Sequence, residues 1–126
     1  MKTTLLLFSL FLFSYRQAPI DKLVGKWQLQ KIEMKSGKIL HRDGFDFVNI
    51  SKDGISFYNG CNTCGTRIIS IDDTCIILDE AKEACTMRYC VGPDLITINY
   101  SGKYELHDSL LIITNAIGKE YLKRQK

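Results

Sequence analysis

The chain has 126 residues, 17 Lys+Arg against 14 Asp+Glu, a net charge of +3 and 45% hydrophobic residues. This length suits one domain. The composition excludes general disorder and a collagen-like repeat, and so small a charge excess gives nucleic-acid binding no support.

The chain opens on Lys2 and an apolar run, Leu5 to Phe13, broken only by Ser9. A positive start, a short apolar core and a small residue near Ala18 describe a secretory signal, too short to span a bilayer comfortably. Residues 1–18 are read as that signal and residues 19–126 as the mature domain. Its destination is the periplasm, the cell envelope or the outside, with membrane attachment only through an uncleaved signal. Removing the signal takes away Lys2 and Arg16 and lowers the net charge to +1. The basic residues Lys119, Lys123, Arg124 and Lys126 read as a solvated tail.

From Leu23 onward, apolar residues recur with a period near two, and turn signals interrupt them. Trp27 and Leu29 alternate with Gln28 and Gln30 as a half-buried strand. Ser36-Gly37 turns into Ile39-Leu40. Phe45 to Ile50 and Ile55 to Tyr58 follow, ended by Asp53-Gly54 and Asn59-Gly60, dipeptides that suit tight hairpins. Thr66 to Ile71, Thr74 to Leu78, Leu95 to Tyr100, Lys103 to Leu106, Leu110 to Thr114 and Lys119 to Leu122 complete the series. Pro19 and Pro93 fall outside these strands. The fold class is therefore mainly β to α+β: about eight short antiparallel strands, as a barrel or sandwich, with at most one short helix. Residues 79–84 form one or two helical turns capped by Asp79, or a charged loop.

The five cysteines are Cys61, Cys64, Cys75, Cys85 and Cys90. In an exported chain they read first as disulfide partners. Cys75 lies inside an apolar run, packs as a small hydrophobe and is the odd one out. The other four flank loops, in a connectivity the spacing leaves open. A Cys61–Cys90 bond would close about 30 residues and stabilise by roughly 3–4 kcal/mol. Two alternatives use the same residues. Cys61, Cys64, Cys85 and Cys90 have near-zinc-ribbon spacing, and Cys61-x-x-Cys64 has the spacing of a redox pair. That motif runs into a β-branched strand, so no helix N-terminus is placed to activate a thiol.

Asn59-Gly60-Cys61-Asn62 with Gly65 resembles the "GCN…G" motif of META domains, the HslJ-like heat-shock group. Thr86-Met87-Arg88-Tyr89-Cys90 resembles its "TMxxC" motif, and Leu23 to Leu29, with Trp27, its opening "LxGxWxL", which lipocalin-like domains share. The resemblance covers about residues 22–123. It implies a compact β-rich domain of bacterial envelope or secreted proteins, linked to heat-shock response and novobiocin resistance without a defined enzymatic activity. It also implies a Cys61–Cys90 pair, leaving Cys64 and Cys85 as a second. The family's helix after the second motif is shortened or lost here, since only Val91 to Asp94 separates Cys90 from an alternating segment.

His107-Asp108 reads as a surface pair, because strand neighbours face opposite sides. Asp72-Asp73 and Asp79-Glu80 read as turn residues. With no catalytic constellation and no cofactor motif, the expected function is a non-catalytic binding or envelope-stress role. The partner is an unknown protein or, in a lipocalin-like carrier, a small apolar ligand. Arg88 and Tyr89, between cysteines in a loop, are the expected contact surface.

Overall fold

The computed structural model describes residues 19–42, 46–58, 61–87 and 99–126. A short helix α1 (Pro19–Leu23) leads into ten strands: β1 (Gly25–Met34), β2 (Ile39–His41), β3 (Phe47–Ile50), β4 (Gly54–Tyr58), β5 (Thr63–Ile71), β6 (Cys75–Leu78), β7 (Ala84–Cys85), β8 (Gly102–His107), β9 (Leu110–Thr114) and β10 (Gly118–Arg124). They hydrogen-bond in the order β10-β9-β8-β6-β5-β4-β3-β1, and β1 pairs back onto β10. All these pairings are antiparallel. The result is a closed eight-stranded barrel, with β2 added to β1 and β7 added to β5. Closure removes the sheet edges that a sandwich of these strands would leave.

Alternation supplies the core. In β1, Trp27 and Leu29 are fully buried, and the next buried residue is Ile32. The change of parity falls at an irregularity in register between Leu29 and Lys31, where one extra residue turns the following side chains to the other face. Val48, Ile50, Ile55, Phe57, Ile76, Leu78, Leu111, Ile113 and Leu122 complete the inward rows. β10 closes the barrel against β1 through Gly118, whose φ is 150°. A Cβ there would stand 1.9 Å from the Glu33 carbonyl oxygen, so only glycine allows this approach of the two backbones.

Trp27 seals the junction of α1 and β1. Its Nε1 donates to the Leu23 carbonyl at 2.8 Å. The Arg124 guanidinium lies 4.3 Å from its ring centroid. Arg124 also donates to the carbonyls of Val24 (3.0 Å) and Lys22. This corrects the solvated-tail reading. Lys119, Lys123 and Arg124 belong to β10, and Arg124 is a clamp on the helix end, where a cation suits exposed carbonyls.

Other expectations change in detail. β5 begins at Thr63, so Cys64 and Gly65 are strand residues and Cys64 does not flank a loop. The segment after Asp79 is a single 3-10 turn, Glu80–Lys82, and the Asp79 side chain makes no capping bond. Asp72 is a turn residue, as its position suggests. Its carboxylate accepts from the backbone N–H groups of Thr74 (2.8 Å) and Cys75 (2.7 Å), which hold its pKa below the usual carboxylate value. The signal segment, Pro93, the segment after Cys90 and most of the expected strand Leu95 to Tyr100 lie outside the described residues.

Candidate functional site

The two cysteine motifs meet at one corner of the barrel. β7 pairs antiparallel with the start of β5, which sets Cys64 opposite Cys85 and Gly65 opposite Ala84. Cys64 and Cys85 are joined by a disulfide. Thr86 ties the next residues together. Its backbone N–H donates to the Thr63 carbonyl at 3.0 Å. Its hydroxyl donates to Asn62 Oδ1 at 3.0 Å and accepts from the Thr63 N–H at 3.1 Å. Asn62 and Thr86, far apart in sequence, are thus direct partners. Met87 follows and is 99% exposed.

Cys61 is also disulfide-bonded, and its partner is not among the described residues. Cys75 is a free thiol, in keeping with its reading as the odd cysteine. Gly60, Arg88, Tyr89 and Cys90 lie outside the described residues. The bonding bears on two alternative readings of the cysteines. Cys64 pairs with Cys85, so Cys61-x-x-Cys64 does not form its own redox disulfide. For the same reason, neither Cys64 nor Cys85 offers zinc a thiolate in this state. A Glu83 carboxylate oxygen and the two sulfurs lie within 4.8 Å of one another, beside a bond that already occupies both sulfurs.

The bond closes a loop of about 20 residues, worth about 3 kcal/mol in the chain-entropy account. A Cys64→Ala/Cys85→Ala variant is expected to lose about that much in urea unfolding. A loss below about 0.5 kcal/mol would mean that the β5–β7 ladder holds the corner without help.

Next to this corner is a cleft of about 150 Å³, lined by Phe57, Thr66, Leu78, Glu80, Glu83, Asn99 and Tyr100. The rings of Phe57 and Tyr100 meet edge to face, with centroids 5.0 Å apart. Asn99 Nδ2 donates to Glu80 Oε1 at 3.0 Å, and the Thr66 hydroxyl donates to the Asp79 carbonyl at 2.6 Å. Among the described residues, the buried Tyr100 hydroxyl has no hydrogen-bond partner.

Behind Tyr100, the barrel holds buried titratable groups that sequence reasoning missed. Glu120 is fully buried, with one oxygen accepting from Asn115 Nδ2 at 3.1 Å and the other without a partner among the described residues. Burial pushes its pKa up to about 8, against the smaller opposing pull of the Asn115 amide and the Asn99 backbone. Burial also raises Tyr100 well above the usual tyrosine value, helped by the charges of Glu120 and Asp46. Asp46 is buried as well and forms an ion pair with Arg42, Nε to Oδ2 at 2.6 Å. A signal for Glu120 was present, since alternation puts it on the face of β10 shared by Gly118 and Leu122. The histidine reading stands: His107 Nε2 lies 3.2 Å from Glu105 Oε2, two residues back on the same exposed face.

Fold and site together define a small closed antiparallel β-barrel whose two cysteine motifs form one braced corner beside a narrow cleft. Comparison with protein families, characterised proteins and solved structures finds no match to the chain.

Proposed function

We propose that the chain is an exported, non-catalytic binding module of the META type, whose motif loops are held by disulfides. The observation that carries this reading is the braced corner. A disulfide, a two-residue strand pairing and the Asn62–Thr86–Thr63 hydrogen bonds fix a segment beside a fully exposed Met87. An apolar side chain held in water on a rigid mount suits recognition, because little conformational entropy is left to lose on binding. The five-cysteine inventory supports export, since at least three cysteines are oxidised and one stays free.

Intact mass after alkylation tests the redox part on protein from its native compartment. One thiol blocked before reduction and five after is the expected result; five blocked without reduction rejects an exported, stapled domain. A photo-crosslinking residue at Met87 tests the binding part in living cells. A discrete adduct lost in the Cys64→Ala/Cys85→Ala variant is expected. The same adducts from a probe at the exposed Ile39 on β2 would reject the corner as a contact surface.

Barrel closure also suits the second reading, a lipocalin-like carrier of a fatty acid or retinoid. The inward rows, from Trp27 and Leu29 to Ile113 and Leu122, pack into one buried cluster, which favours the filled module. A carrier would respond to such ligands through the fluorescence of Trp27.

A further inference from the structure

We infer that the interior of the barrel binds one ordered water molecule, held by the Tyr100 hydroxyl, the second carboxyl oxygen of Glu120 and the Asp46 carboxylate. This site rests on interior hydrogen bonding and is independent of the braced corner.

Two buried polar atoms need a partner. Tyr100 is 1% exposed and Glu120 is 0% exposed. Among the described residues, the Tyr100 hydroxyl and Glu120 Oε2 are the two buried side-chain atoms without one. Leaving such a group unpaired in the interior is costly, and native proteins ordinarily satisfy it with protein or with ordered water. The immediate neighbours supply no partner. On β10, Glu120 is flanked by Ile32 of β1 and Ile113 of β9. The Tyr100 ring packs edge to face on Phe57.

The fold brings these groups to one region. Asn115 Nδ2 donates both to Glu120 Oε1 and to the carbonyl of Asn99, the residue before Tyr100. One amide thus ties the carboxyl of β10 to the backbone that carries the phenol. The Tyr100 hydroxyl also senses the charges of Glu120 and of Asp46, which is 4% exposed. A water suits this set. It accepts from the phenol and donates to Glu120 Oε2 and to an Asp46 oxygen, and about three hydrogen bonds is the usual number for a buried water. Arg42 donates to both Asp46 oxygens, at 2.6 and 3.3 Å, and leaves lone pairs on each. A calcium ion suits it less, since it takes about six to eight oxygens and the Arg42 guanidinium already balances Asp46. An apolar ligand would leave both orphan groups unpaired. The water would link Asn99 and Tyr100, which line the cleft, to the barrel wall.

The experiment counts long-lived internal waters in the full disulfide-bonded protein by oxygen-17 magnetic relaxation dispersion, and measures urea unfolding of the same samples. The wild type should show at least one such water, and the Tyr100→Phe/Glu120→Leu variant should show one fewer. Tyr100→Phe keeps the ring that meets Phe57 and removes only the hydroxyl. It should raise the unfolding equilibrium constant at least about threefold, because the hydroxyl is bonded in the folded state. A hydroxyl left unpaired gives the opposite sign, since deleting it relieves a desolvated donor. The effects of Tyr100→Phe and Glu120→Leu should also be non-additive by at least about threefold, as expected for groups that share one partner. No long-lived water in the wild type, an unchanged count in the double variant, or a Tyr100→Phe protein more stable than the wild type each overturn the inference. Non-additivity without a water would mean a direct bond between the two groups and would overturn it too.

Discussion

Trp27→Ala is expected to destabilise the protein by about 3–5 kcal/mol, the range for deleting a large, fully buried aromatic side chain. Trp27 has no exposed surface, and the change would also leave the Leu23 carbonyl without its 2.8 Å donor and Arg124 without its ring. A domain of this size commonly has about 5–15 kcal/mol in total, so the variant should be partly unfolded at modest urea concentrations. Trp27 is the sole tryptophan, so the unfolding of the variant is best followed by circular dichroism. Trp27→Phe, which keeps most of the apolar area but not the Nε1 donor, should lose distinctly less. Wild-type stability in the alanine variant would refute the sealing role.

The second large effect is a pH dependence centred on Glu120. Its folded pKa of about 8 lies above the ordinary value of 4.5. The folded state therefore holds a proton that the unfolded state releases throughout the interval between them. The associated stability is fully present below about pH 4.5 and is lost progressively as pH rises through 8. Over the range from mildly acidic to mildly basic solution, the loss is on the order of 3–4 kcal/mol. Asp72 acts in the opposite sense. Its lowered pKa contributes stability that disappears in acid as the carboxylate protonates. Stability should therefore peak in mildly acidic solution. Glu120→Gln, which keeps an oxygen for Asn115 and cannot ionise, should remove the decline on the basic side. A decline of equal slope in wild type and Glu120→Gln would assign it to other groups.

The two effects differ in how far the sequence announces them. Trp27 is legible because the opening strand alternates around it and a large ring needs a core. Glu120 sits in an equally regular strand, but a carboxylate in an alternating run is ordinarily assigned to solvent, since burying it uncompensated is costly. The sequence pattern gave its face, and the closed barrel decided that this face has no water.

The braced corner shows the same division. The motifs around Cys61 and Thr86 mark both segments as special, and Cys75 stands apart by lying in an apolar run. What the spacing leaves open is that Cys64 is opposite Cys85. That depends on β5 starting early, at Thr63, and on a return of only two residues in β7. The cleft was not legible either. Its lining comes from β4, β5, β6, the 3-10 turn and the residue after it, and the residues just before β8, which no local pattern brings together.

By itself, then, the sequence determined a β-rich chain of short strands with its turn positions, its first-strand tryptophan and its odd cysteine. These follow from local alternation and turn chemistry, properties of neighbouring residues. Only the tertiary structure decided that the strands close into a barrel, that Cys64 bonds to Cys85, that Arg124 clamps Trp27 and that Glu120 is sealed inside. Each of these depends on register between segments distant in sequence, and register is settled by which pairing buries the most apolar surface while satisfying the backbone.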